Sequence, residues 1–535
     1  MTVIVYTLII ICVTLVIVYA ISRRSRSDFS FLPGPPSPSF VYGHSLDIAQ
    51  SPVGTRYNVW QEVYGPTFPL KGPFGRSVLV VGDPKGANYI LQGTNFERSA
   101  SDKAVLELFF GRGLFCAEGD EHQRMRGTLS GSFSNQSIQE ITPVFVHLAE
   151  RLVDYWEKKL DSTSHATFDV TADIHRLTFD AITMTMLAHD LSSTGSDIPT
   201  LLRNITHSPP DDGLDILLRL FAEMFPAILS MPSSMKTWCA NLRKSLGSVA
   251  RKVWLEREHG AGMHAKLLDD LGRSLRLDLF TPTVNDASAK EHVPEDVVIT
   301  QIIGIIFAGS ETTANVITEC LYELARNPGI QKKLRAELVG FETMNGRMPA
   351  YDDLVKGSML PYLDAVTQET MRLKAVSMTI SRVAARDDAI PLHIPVKDRQ
   401  RGTNSYTVPV QAGTLIEIPI RDGINVNRDI WGADAAVFDP ERWMDPKRLP
   451  ETVKWVQAQG NMLTFGDGSK VCLGRAFAII EFKTVVSYLV RSFALEQVDG
   501  IELEFYRVGG NTIKPVIRGG GFEDTRMPLR VHRVA

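Results

Sequence analysis

The first hydrophobic pattern in the chain is an unbroken one. From Thr2 to Ile21, the run TVIVYTLIIICVTLVIVYAI carries no formal charge over twenty residues. A helix of that length spans roughly 30 Å, the thickness of a bilayer's hydrocarbon core, so residues 1–22 predict a transmembrane anchor. A cleaved signal peptide is the competing reading, because Ala20 and Ser22 form a weak small-x-small site, but the segment has no basic leader and its apolar run is long. Arg23, Arg24 and Arg26 follow at once, and basic residues beside a span stay on its cytosolic side. Residues 23–40 form a basic and Pro-rich linker, stiffened at Pro33-Gly34-Pro35-Pro36. Residues 41–535 remain as one large globular body facing the cytosol.

Within that body the pattern changes period several times. Thr67 to Leu70 and Ser77 to Val81 are short β-prone runs around Gly72-Pro73-Phe74-Gly75, which predicts a hairpin. From Pro84 to about Lys374 the spacing is helical, with breaks at Ser208-Pro209-Pro210 and around Asn285 to Glu291. Val297 to Leu324 is the longest apolar stretch of this part and predicts a buried helix. Between Ile390 and Pro419, alternation interrupted by prolines and glycines predicts irregular strands, and a last helix is expected after Cys472. The fold class is therefore mainly α with a smaller β-rich part, and the pattern contains no internal repeat.

Charge and cysteine usage narrow the function. A net charge of -4 with no dense Lys/Arg tract gives nucleic acid no electrostatic footprint. The five cysteines, Cys12, Cys116, Cys239, Cys320 and Cys472, are odd in number and unpaired in spacing. They argue against a disulfide framework and for a reducing compartment.

One of these cysteines stands in a special setting. Phe465-Gly466-Asp467-Gly468-Ser469-Lys470-Val471-Cys472-Leu473-Gly474 is a glycine-bearing loop that delivers Cys472 to the start of an apolar helix. A metal and the N–H groups of a helix start both favour the charged sulfur, and a thiolate on haem iron pushes electron density toward O–O cleavage. The bland alternative is a structural cysteine in a glycine-rich turn. Upstream, Ala308-Gly309-Ser310-Glu311-Thr312-Thr313 places an acid and hydroxyls inside the buried helix, where small residues leave room for a ligand. Taken alone, such a threonine is as well explained by back-bonding to its own helix. Glu369 and Arg372 share a helix face, as do His122 and Arg126.

Together these motifs resemble the cytochrome P450 family, whose signature loop has Phe, Gly, a basic residue, Cys and Gly where this chain has Phe465, Gly468, Lys470, Cys472 and Gly474. The family usually has Arg at the place of Lys470, which keeps the charge but not the bidentate fork. The resemblance implies a haem b with Cys472 as axial ligand to the iron. Ala308, Phe465 and Gly474 would lie against it, and His122, Arg126, Arg382 and Lys470 would meet its propionates. It implies that Thr312 and Glu311 handle the protons of oxygen activation. Glu369, Arg372 and Arg442 would form a supporting network behind the cysteine loop. His122 stands where the family has Trp, and Ala375-Val376 replace the family's usual proline pair.

The implied reaction is insertion of one oxygen atom from O2 into an apolar small molecule of terpenoid, sterol or fatty type. Leu106, Leu108, Phe109, Phe110, Ile305 and Val376 to Ile380 would line the pocket. NADPH-cytochrome P450 reductase would supply electrons at the endoplasmic reticulum membrane, where Phe225-Pro226-Ala227-Ile228-Leu229 would also dip into lipid. The His122-bearing helix and the polar insert around Asp398 to Thr407 resemble fungal members, which implies a place in secondary metabolism. Two rivals are an isomerase or dehydratase of the same fold, and a membrane-anchored haem or sterol binder without turnover.

Overall fold

The structure, a computed structural model, describes residues 29–160, 164–187, 225–258, 295–508, 512–521 and 525–534, together with positions 12, 13, 16, 218, 221 and 222. The span expected over residues 1–22 therefore lies almost wholly outside the described residues, as do the breaks at 208–210 and 285–291. Among the described residues, no helix is long and apolar enough to cross a membrane.

Helices of nine residues or more dominate the regular structure of the described residues. They are α1 (Arg56–Tyr64), α2 (Pro84–Gln92), α3 (Ala100–Phe110), α4 (Gly119–Ser130), α5 (Asn135–Leu160), α6 (Val170–Leu187), α7 (Ser234–Glu258), α8 (Glu295–Arg326), α9 (Pro328–Asn345), α10 (Pro361–Leu373) and α11 (Arg475–Ser492). Local chemistry sets their ends. Asp83 caps α2 by accepting from the N–H groups of Lys85 and Gly86, with Pro84 at the first turn. Ser99 caps α3 through the Asp102 N–H at 3.0 Å. Gly346, at φ 67°, closes α9 in the left-handed conformation that a side chain resists.

The sheet part is larger than the sequence pattern indicated. The expected hairpin is present as β1 (Thr67–Lys71) against β2 (Ser77–Val81), with Thr67 opposite Val81. It belongs to a five-stranded sheet ordered β1-β2-β8-β5-β3, with β3 (Phe96–Glu97), β5 (Thr379–Ala384) and β8 (Leu415–Pro419). The irregular stretch after Ile390 is β6 (Asp388–Lys397) on β7 (Asn404–Val410), with its register broken between Pro391 and Val396. Within that break the N–H groups of His393 and Ile394 donate to Asp83 at 2.9 and 2.8 Å, so the α2 cap also satisfies the broken ladder. Strands near the C-terminus were not foreseen. β12 (Pro528–Arg533) joins β4 (His165–Asp169) to β9 (Phe493–Gln497), and β10 (Leu503–Val508) pairs with β11 (Thr512–Ile517).

Helix α8 runs through the apolar core and packs on α6 and α11. The sequence assigned the small Gly309 to a ligand; the structure shows another use. A Cβ there would stand 2.5 Å from Ile182 Cδ1 of α6, so the missing side chain lets two helices close. The loop from Phe225 turns as a short 3-10 helix with Phe225 and Met231 exposed but Leu229 buried.

Candidate active site

The cysteine loop is built by two left-handed glycines. Gly466 and Gly468 have φ of 69° and 68°, and a Cβ on Gly468 would lie 2.2 Å from the Leu91 carbonyl oxygen. The Cys472 N–H donates to the Phe465 carbonyl at 2.8 Å, which closes the loop just before α11. The thiol is exposed. Desolvation by the surrounding protein pushes its pKa up, against the Gly474 N–H and the charges of Arg126 and Arg475.

Behind the loop stands a buried network. Glu369 receives two bonds from Arg372 at 2.9 and 2.7 Å, one from Arg442 at 3.1 Å, and one each from the Trp443 indole and the Asp439 N–H at 2.9 Å. Arg372 lies 4.9 Å above the Trp431 ring and donates to the Asn425 carbonyl at 2.8 Å. Asn425, which the sequence did not single out, carries this order to the loop. It donates to Thr464 Oγ1 at 3.0 Å and accepts from the Leu463 N–H at 3.1 Å.

On α8, burial marks the face that opens. Between Val298 and Ala325, Thr312 is the only exposed residue, and Thr300, Ala308 and Gly309 are the only others not fully buried. Thr312 Oγ1 donates back to the Ala308 carbonyl at 2.7 Å. Glu311 points elsewhere. It is 1% exposed, ion-paired with Lys514 of β11, and accepts from Asn315 Nδ2 at 3.2 Å. His175 Nε2 stands 3.2 Å from its second oxygen, off the direction of a hydrogen bond. Burial alone would push the Glu311 pKa up, but Lys514 and His175 hold it well below the usual carboxylate range. His175 Nδ1 lies 2.8 Å from the Thr171 carbonyl, so Nδ1 carries a proton that it donates there.

Cations gather at the start of α4 and beside the cysteine loop. Arg126 donates to the Val471 carbonyl at 2.6 Å, and Arg382 donates to the Ser381 carbonyl at 2.8 Å. Lys470 donates to the Ala117 carbonyl and lies 3.2 Å from the Glu118 carboxylate. Arg98, also unforeseen, lies 3.8 Å from Glu118 through its Nε, too far for a hydrogen bond, and that buried Nε has no hydrogen-bond partner. His122 is buried, and burial together with Lys470 and Arg126 brings its pKa down to about 4, so it is neutral at cellular pH.

These residues fit a haem. An exposed thiol stands at the head of a helix, an exposed threonine interrupts a buried one packed against it, and surplus cations, one with an orphaned buried N–H, suit a pair of carboxylates. Of the residues expected to line the pocket, Phe109 and Phe110 join an aromatic wall. Phe110 lies 5.1 Å from Phe115 and 5.3 Å from Phe307, and Phe109 lies 5.4 Å from Trp238. Gly304 makes room for Phe115, whose ring would stand 2.8 Å from an added Cβ. Ile305 is buried in the core, whereas Leu106, Leu108, Val376 and Ile380 are partly buried against it.

Comparison with known proteins agrees with this geometry. The cytochrome P450 family model matches residues 33–510. Cytochrome P450 monooxygenase claU of Ampulloclitocybe clavipes is 32% identical over 525 residues, covering 96% of this chain and 94% of its own length. Cytochrome P450 monooxygenase 128 of Postia placenta is 30% identical over 515 residues, with 94% and 92% covered. The ganoderic acid synthetase CYP5150L8 of Ganoderma lucidum is 30% identical over 501 residues, with 88% of each chain covered. With its fold, its cysteine loop and these relatives in agreement, the chain belongs to the cytochrome P450 family and is a monooxygenase of that family.

Proposed function

We propose that the protein is a membrane-anchored monooxygenase of fungal secondary metabolism that oxygenates an apolar small molecule of terpenoid, sterol or fatty type, using O2 and electrons from NADPH-cytochrome P450 reductase. The observation that carries this reading is the pairing of an exposed Cys472 thiol with Thr312, the one exposed residue of the buried stretch of α8. Residues 1–22 would anchor the chain in the endoplasmic reticulum membrane with the catalytic part, residues 41–535, in the cytosol, and the exposed Phe225 would touch lipid.

Cys472 would be the thiolate ligand of a haem b, flanked by Phe465, Gly474 and Ala308, with Arg98, Arg126, Arg382, Lys470 and His122 around the propionates. When bound, the haem supplies the binding and reduction of dioxygen. The chain's own residues manage water and protons. The Phe110, Phe115 and Phe307 rings form an apolar wall that excludes bulk water and gives an apolar substrate its surface. Thr312 Oγ1, now donating to Ala308, accepts a proton-bearing water at its free lone pairs. Glu311 is held ionised by Lys514, so it gives up no proton until it first gains one at the cost of that ion pair.

The test is turnover with a reductase and a panel of apolar precursors, scoring NADPH consumed, hydrogen peroxide released and product formed. Thr312→Ala should keep NADPH consumption while product falls at least about tenfold and peroxide rises, a floor set below the roughly 10²–10⁴-fold typical of a lost acid-base group. Unchanged coupling would return Thr312 to a back-bonded helix residue. Product formation without NADPH would favour the isomerase reading.

A further inference from the structure

Among the cations at the head of α4 stands one acid that the reaction does not use. Glu118 precedes Gly119, the first residue of α4, and is about one-third exposed. Its carboxylate lies 3.2 Å from Lys470 and 3.8 Å from Arg98, and its Oε1 has no hydrogen-bond partner. Arg382 and His122 also feel its charge. The groups come from four parts of the chain: the turn after β3, the start of α4, β5 and the cysteine loop. Asp102, the other acid within electrostatic reach of Arg98 and Arg382, is tied to Ser99 in the first turn of α3.

Three cations, Arg98, Arg382 and Lys470, against one untied acid is a surplus that two haem propionates would offset, yet Glu118 already occupies part of the attraction of Arg98 and Lys470. A carboxylate in that place has two electrostatic effects. It competes with the propionates for two of their partners, and it adds a negative charge beside a centre that must accept an electron.

We propose that Glu118 is an internal counter-charge of the propionate cradle that lowers the reduction potential of the haem and loosens its retention. The inference rests on the reading of Arg98, Arg382 and Lys470 as propionate partners. It concerns the one-electron reduction of ferric to ferrous haem by an external mediator, and no bond is made or broken in the protein.

The test is a mediated redox titration of the haem-loaded full chain, with the rate of haem transfer to an excess of apomyoglobin as a second readout. Glu118→Gln should shift the reduction equilibrium at least threefold toward the ferrous form, or about 28 mV at about 59 mV per tenfold for one electron. Haem transfer should slow by a similar factor. Glu118→Asp should stay close to wild type. Arg98→Gln should move both readouts the opposite way, and the double variant should fall back toward wild type, which a merely structural disturbance would not do. The shifts should shrink as salt rises, because these groups are only half buried. If Arg98→Gln acts as expected while Glu118→Gln leaves both readouts unchanged or lowers the potential, the proposal fails and the cradle stands. If neither variant moves either readout, the assignment of the cradle fails together with the proposal.

Discussion

Two buried charge clusters, one behind the cysteine loop around Glu369 and one on α8 around Glu311, are built in opposite ways. The Glu369 cluster saturates its acid: both oxygens accept from guanidinium groups, with an indole and a backbone N–H added, and Arg372 spends its remaining donors on carbonyls. Nothing in it is left to exchange. The Glu311 cluster is supplied with two possible cations for one acid, and one carboxylate oxygen lacks a directed hydrogen bond. The first arrangement suits a frame, because each partner fixes the others. The second is less fixed, because one carboxylate oxygen and the His175 Nε2 face each other without a directed bond.

The largest effect removes what the first cluster holds. Cys472→Ala should abolish product and the red-shifted absorption of the reduced carbon monoxide complex; a retained shift would move the ligand assignment to another residue. Next, Glu369→Gln leaves Arg372 and Arg442 buried without their anion, which should cost about 3–5 kcal/mol, read as a lower denaturant midpoint and poorer haem loading. Equal stability to wild type would demote that cluster to ornament.

Lys514→Met should cost less, about 1–3 kcal/mol, since His175 and Asn315 still face Glu311. Its pH dependence has a fixed sign. The folded Glu311 pKa lies below its unfolded value, so the stability it contributes is fully present above about pH 4.3 and is lost as pH falls through the folded value. The gap between wild type and Lys514→Met should therefore be widest near neutral pH and narrow in acid. A gap that widened in acid would break the contrast between the two clusters.

What the sequence made legible follows from how local each signal is. The cysteine loop and the Glu369–Arg372 pair are written in contiguous residues, so their chemistry could be inferred before any contact was known. Arg442 joined them through the family's pattern, and its bond to Glu369 bears that out. Lys514 was invisible: a lone lysine in TIKPVI looks like an exposed strand position, and only the pairing of β10 with β11 against α8 buries it. Arg98 and Glu118 sit in a loop and at a helix start, and Asn425 in a single 3-10 turn, places where polar residues are ordinary and carry no periodic mark. Strand β12 escaped for a related reason. Its partners lie far back in the chain, as with Leu529 beside Phe168, and no short window contains both, whereas the β10–β11 hairpin is local and was simply missed.

That distance has a consequence for biogenesis. The segment bearing Cys472 is clamped by Arg126, 345 residues earlier, by the Ala117 carbonyl through Lys470, and by the Leu91 carbonyl against Gly468. Such contacts bring no reward until a very long loop has closed. During synthesis, which releases the N-terminal part first, Arg98 and Arg126 of the proposed cofactor bed emerge long before Cys472, its proposed ligand. On the proposed ligand assignment haem capture would thus be a late event, possible only once Cys472, seven-eighths of the way along the 535 residues, has emerged, and a chain cut short before Cys472 would hold the cations of the cradle without that ligand.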